Sequence, residues 1–107
     1  MLTRAVYEAT QQGSFGKDWG LTSQMQRAAV SIMANIAEGF ERGKPKEYLH
    51  FLSIAKASCA EVRSHLYVAL DIGYIDQATF ALRQARSDEI ARILSGLRSS
   101  IERQRVG

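Results

Sequence analysis

Apolar side chains return every three or four residues along most of this chain, the step at which successive turns of an α-helix place them on one face. Leu2, Val6 and Ala9 open the pattern, and Leu21, Met25, Ala28, Ala29, Ile32, Ile36 and Phe40 carry a longer stripe. Tyr48, Leu52, Ala55, Cys59, Val62, Leu66, Ala69 and Leu70 carry a third, and Ile90, Ile93, Leu94, Leu97 and Ile101 the last. β-branched runs bounded by hairpin turns are missing, so strands are not expected. The spacing predicts four helices over about residues 2–12, 21–41, 45–72 and 76–104.

Punctuation between the stripes supports these bounds. The first stripe runs into a loop marked by Gly13, Gly16 and Gly20. Its pattern is already under way at Met1 with no capping residue before it, so helix 1 is expected to be cropped. Thr22 and Ser23 offer hydroxyls to cap helix 2, with Gln26 three residues after Ser23 as in a capping box. Gly43 and Lys44 lead into Pro45, whose missing N–H suits the first turn of helix 3. Gly73 followed by Tyr74 and Ile75 reads as a left-handed C-cap, and Asp76 as the cap of helix 4. Short loops between long helices make neighbours antiparallel. The expected fold is all-α, an antiparallel up-down-up-down four-helix bundle formed by residues 1–107 as a single domain.

Composition adds little to that picture except through its placement. No apolar stretch approaches the ~20 residues of a membrane-spanning helix, and the first twenty residues carry Arg4, Glu8, Lys17 and Asp18 with no secretory apolar region. The single Cys59 permits no intramolecular disulfide, and a cytoplasmic location is expected. Net charge is +3, and all of the excess is local: residues 1–89 hold ten basic and ten acidic side chains, whereas residues 90–107 hold Arg92, Arg98, Arg103 and Arg105 against Glu102.

Candidate chemistry is sparse. Cys59 lies inside an apolar stripe with no histidine at helical spacing to activate it, so a structural thiol is expected. His50 and His65 are about 22 Å apart on one helix and cannot share a metal ion. The stretch from Gly39 to Lys44 has the wrong spacing for a phosphate-binding loop and no strand before it. Accordingly, neither catalytic residues nor a metal or cofactor site is expected.

Two polar constellations stand out. Gln24, Arg27, Ser31, Asn35 and Glu38 recur on one face of helix 2, and folding back at residues 43–44 brings Glu61 of helix 3 level with Arg27. This is either a register-setting seam, with Glu61 held by helix 2, or a ligand site. Topology also gathers Arg4, Arg42, Lys44, Lys46, Arg98, Arg103 and Arg105 at one end, diluted by Glu41, Glu47 and Glu102, opposite Asp18, Asp71 and Asp76. Helix dipoles account for arginines at helix C-termini but not for Lys44 and Lys46 at the start of helix 3.

The segment LTSQMQRAAVSIMANIAEGFERG from Leu21 to Gly43, with IAKASCAEV from Ile54 to Val62 and ALDIGYI from Ala69 to Ile75, resembles the bacterial four-helix-bundle family of proteins encoded in intervening sequences of 23S ribosomal RNA genes. Met33 stands where that family often has proline, and Gly16 where a proline is often seen. The resemblance implies the bundle fold, a cytosolic location and a ring-like homo-oligomer, a pentamer; it implies no enzyme. Similar bundles among accessory proteins of diversity-generating retroelements associate with nucleic acid, an analogy only. The expectation is a non-enzymatic oligomeric binding or scaffold protein with RNA or DNA at its basic end. The alternative is a small-ligand protein or enzyme using the polar cluster between helices 2 and 3. Surplus apolar surface on helix 3, at Phe51, Ile54, Tyr67 and Val68, points to a covering subunit.

Overall fold

A computed structural model describes residues 2–10 and 17–106, without the side chains of residues 9 and 104–106. Among the described residues four helices form and no strand does: α1 (Leu2–Thr10), α2 (Trp19–Arg42), α3 (Pro45–Ile72) and α4 (Gln77–Val106). The loop glycines Gly13 and Gly16 lie outside the described residues, as do positions 11–12 of the first expected helix. The other helices match the expected ones to within two residues at each end.

Each boundary has a local cause. α2 starts earlier than the Thr22–Ser23 pair suggests, because Asp18 is its N-cap and accepts from the Leu21 N–H at 3.1 Å. Thr22 is instead buried one turn inside the helix. Gly43 and Gly73 adopt φ of 71° and 90°, a region costly for residues bearing a Cβ, and end α2 and α3. After Gly73 the Tyr74 N–H reaches the Ala69 carbonyl at 2.9 Å, while the Gly73 N–H bonds Leu70 O at 3.1 Å, the paired contacts of a Schellman end. Asp76 Oδ1 accepts from the Thr79 N–H at 2.7 Å and caps α4 as expected.

α3 is the central helix, packed against α2 on one side and α4 on the other, while α1 lies against α2 and α4. The rod so formed measures 51 × 22 × 18 Å. Its core joins Leu2 and Val6 of α1, Met25 and Ile32 of α2, Leu52, Val62 and Leu66 of α3, and Phe80 and Leu94 of α4. Midway along, small residues are buried between the helices: Cys59 and Ser58 on α3 and Ser87 on α4, whose hydroxyl donates to the Cys59 carbonyl at 3.4 Å. Phe80, Ser87 and Leu94 recur at heptad steps, so Ser87 occupies a core position that hydrophobicity alone does not mark. Among the described residues α1 covers Leu2–Thr10 and packs against α2 and α4. Beside Leu2 lies a groove of about 440 Å³ walled by Met33, Ile36, Ile90, Ile93, Leu94 and Leu97.

Candidate functional site

The polar face of α2 divides into parts with different surroundings. Ser31 is its centre: Ser58 Oγ of α3 donates to Ser31 Oγ at 2.9 Å, and Asn35 Nδ2 donates to the same oxygen at 2.9 Å and to the Ser31 carbonyl at 2.8 Å. These groups hydrogen-bond one another across the α2–α3 contact. Ser58 is buried and is the α3 member that sequence reasoning missed, its serine indistinguishable in spacing from a small core residue. Glu61 does not take that role. Glu61 and Arg27 are both exposed, and among the described residues no ion pair or hydrogen bond joins them. The step from Ser58 to Glu61 rotates around α3 enough to turn the carboxylate out into water. Gln24 is exposed too, and Glu38 forms an exposed ion pair with Arg42 at 3.0 Å.

The end of the bundle where α2 turns into α3 is built around Gly39. A Cβ there would come within 2.9 Å of Phe51 Cβ and 3.1 Å of Tyr48 Cδ1, so only hydrogen lets the start of α3 close on the last turn of α2. Gly39 thus takes the buried position that the stripe assigns to Phe40, and Phe40 stands 71% exposed, its ring edge-on to Tyr48 with centroids 6.4 Å apart. Arg42 lies over the Phe51 ring at 5.2 Å in addition to pairing with Glu38, so its charge is largely spoken for.

Lys44 and Lys46 are different. Both are exposed, neither has an acidic partner among the described residues, and the N-terminus of α3 between them has no side-chain cap. The lysines therefore add to the positive end of the helix dipole, where a cation is ordinarily unfavourable, and Glu47 in the same first turn offsets part of that charge. Antiparallel pairing of α3 with α4, fixed by Arg63–Asp88 at 3.2 Å and the Ser87–Cys59 contact, carries Arg98 and Arg103 to this same end. Arg98 is partly engaged by Glu102 at 3.7 Å, whereas Arg103 is exposed. The Arg105 side chain lies outside the described residues. Arg4 does not join the cluster. Gln26 Nε2 donates to Thr10 Oγ1 at 2.9 Å, which sets Arg4 level with Ile32, and ~16 Å of helix separates that level from Gly43.

A family model of the 23S rRNA-intervening sequence protein matches residues 1–96. This chain belongs to that family. A crystal structure of a protein of unknown function from the S23 ribosomal protein family of Bacteroides thetaiotaomicron has the same fold, with a TM-score of 0.82 at 23% identity over 91% of this chain and 90% of the other. No curated protein matches the chain. In this member of the 23S rRNA-intervening sequence family α2 runs unbroken through Met33, which is exposed beside the apolar groove.

Elsewhere, burial raises the Cys59 thiol above its usual range, with Arg63 opposing weakly, so the thiolate is disfavoured. Among the described residues no group of three or more histidine, cysteine or carboxylate side chains is arranged to hold a metal ion, and no helix is long and apolar enough to cross a membrane. At the opposite end, Tyr74 Oη donates to Asp18 Oδ2 at 2.9 Å, a contact between residues far apart in sequence that no periodicity announces.

Proposed function

We propose that this chain is a non-enzymatic binding and scaffold protein of the cytoplasm that assembles with copies of itself and holds nucleic acid, RNA or DNA, at the α2–α3 end of the bundle. The observation that carries the reading is the pair Lys44 and Lys46. They flank an uncapped helix N-terminus, lack acidic partners among the described residues, and stand with Arg103 at one end of the rod. Lysines placed against a helix dipole raise the local positive potential, and phosphate is the ligand that such a potential suits. The family's name ties its members to ribosomal RNA genes, and the structural relative carries a ribosomal family name, which agrees with a nucleic-acid partner.

The seam between α2 and α3 favours packing over ligand binding, since Ser31, Asn35 and Ser58 spend their hydrogen bonds on each other. The reading is tested by changing Lys44, Lys46 and Arg103 together to Gln and titrating labelled RNA and DNA at low and moderate salt. Affinity is expected to fall for both nucleic acids, and the slope of log affinity against log salt to shrink by about one for each phosphate contact removed. Unchanged binding, or no binding by the unmodified protein at low salt, sinks the proposal.

A further inference from the structure

We infer that the basic end takes single-stranded rather than duplex nucleic acid, one unpaired base stacking on the exposed ring of Phe40 while Lys44 and Lys46 hold the adjoining phosphates. The inference rests on the proposed nucleic-acid reading and names the form of nucleic acid that this site accepts. Its starting point is an aromatic ring out of place. Phe40 falls where the helical stripe calls for a core residue, yet it is 71% exposed because Gly39 fills the inward position and admits α3. Tyr48 meets it edge-on, with an interplanar angle of 87°, and so braces the ring without covering it.

Scattered exposed apolar side chains are ordinary. Phe40 differs in its company: Lys44, exposed and without an acidic partner among the described residues, follows it across the Gly43 turn, and Lys46 stands in the same first turn of α3 as the buttress Tyr48, on a different face. A ring beside cations is suited to a ligand that is flat and apolar at one point and anionic at the next. Single-stranded nucleic acid has that chemistry, since its bases expose their faces and its backbone carries a charge at every step. In a duplex the faces are stacked away and the ring gains nothing. Arg42 contributes less to the anion, because Glu38 and the Phe51 ring already engage it.

The experiment measures anisotropy of a short labelled RNA strand, alone and annealed to its complement, with the unmodified chain and with Phe40→Ala, Phe40→Leu and Lys44→Gln/Lys46→Gln variants whose helical content is checked by circular dichroism. The single strand is expected to bind more tightly than the duplex. Phe40→Ala and Phe40→Leu are both expected to lose about 5- to 150-fold on the single strand, the value of one base–aromatic stack, while leaving weak duplex binding as it was. Leucine restores apolar volume but no ring face, so rescue by leucine marks a merely structural ring and overturns the inference. In a Trp19→Phe background, Phe40→Trp is expected to keep the affinity and to show tryptophan quenching when the strand is added. Equal binding of strand and duplex, or Phe40 variants that bind normally while the lysine variant fails, overturns stacking and leaves the basic-end reading standing. If the lysine variant and the unmodified chain bind alike, both readings fall. A drop in oligomer mass on changing Phe40, without quenching in the tryptophan variant, assigns the ring to a subunit contact and overturns the inference.

Discussion

At the scale of single residues the decisive positions are small ones. Gly39→Ala adds a methyl group that helix propensity favours by ~1 kcal/mol. It must nevertheless enter space held by Phe51 and Tyr48, with a closest approach of 2.9 Å to a Cβ that cannot swing aside. Overpacking therefore wins, and urea denaturation is expected to show a net loss of about 1–3 kcal/mol. Arg27→Leu and Glu61→Leu make the contrasting case. Both side chains are exposed and unlinked, so each change should shift stability by no more than ~0.5 kcal/mol. A loss of several kcal/mol for either one, measured in the same way, contradicts their placement. The sequence does not disclose this difference. Helical spacing marks residues 39–40 as the inward end of the α2 stripe, and hydrophobicity then selects phenylalanine. Only the separation of the two backbones reveals that the inward place has room for hydrogen alone. Ser58 and Ser87 were hidden for the same reason: a serine in a core register looks polar until its neighbour's oxygen is located.

At the scale of elements, the helices were legible because their period, their glycine ends and Pro45 all agree. The cap of α2 was not, because Asp18 and the Thr22–Ser23 pair are all good caps, and the choice falls to a partner fifty-six positions away, Tyr74. Asp18 receives the Leu21 N–H and the Tyr74 hydroxyl, and both bonds hold its carboxyl below the ordinary value of 3.8. Asp76 is lowered likewise by Thr79. A carboxylate with a depressed folded pKa stabilises above its unfolded pKa of about 3.9, and the contribution is lost as pH falls through the lower folded value. Tyr74 is shifted the other way, since its bond to Asp18 requires the proton, so its share is present at neutral pH and lost as pH rises past its ordinary value of 10.0. Thermal unfolding followed by circular dichroism should therefore be insensitive to pH from mildly acid to mildly basic solution and decline beyond both limits. Asp18→Asn should lower the melting temperature at neutral pH and flatten the acid limb, leaving the slope due to Asp76. An acid limb equally steep in the variant removes the assignment.

At the scale of the whole molecule, the three long helices share a core with the described turns of α1, and apolar surface stands exposed outside it among the described residues. Some of it lies at the far end of the rod from the basic site: Tyr67, Val68 and Ile72 are exposed on the last turns of α3, and Tyr67 is steadied by Phe80 at 4.8 Å. Phe51 and Ile54, expected to belong to the same surplus, are half-buried within the chain, so the face available to a second copy is narrower than the apolar count of α3 suggests. If copies assemble through it, every copy brings its own Lys44 and Lys46, and a strand that reaches two of these sites gains effective concentration instead of new contacts. Val68 stands ~35 Å along α3 from Pro45. That is several Debye lengths at physiological salt, so a neutral change at Val68 and Ile72 has no direct electrostatic effect at the phosphate site. Val68→Gln with Ile72→Gln is accordingly expected to reduce the light-scattering mass toward the 11.9 kDa of a single chain. It should also weaken binding of a long RNA by about tenfold or more while leaving a strand too short to bridge two copies unaffected. A monomeric mass for the unmodified chain across micromolar concentrations rules out the assembly. Loss of short-strand binding in the variant shows instead that the substitution disturbs the bundle, because avidity acts only on ligands long enough to use it.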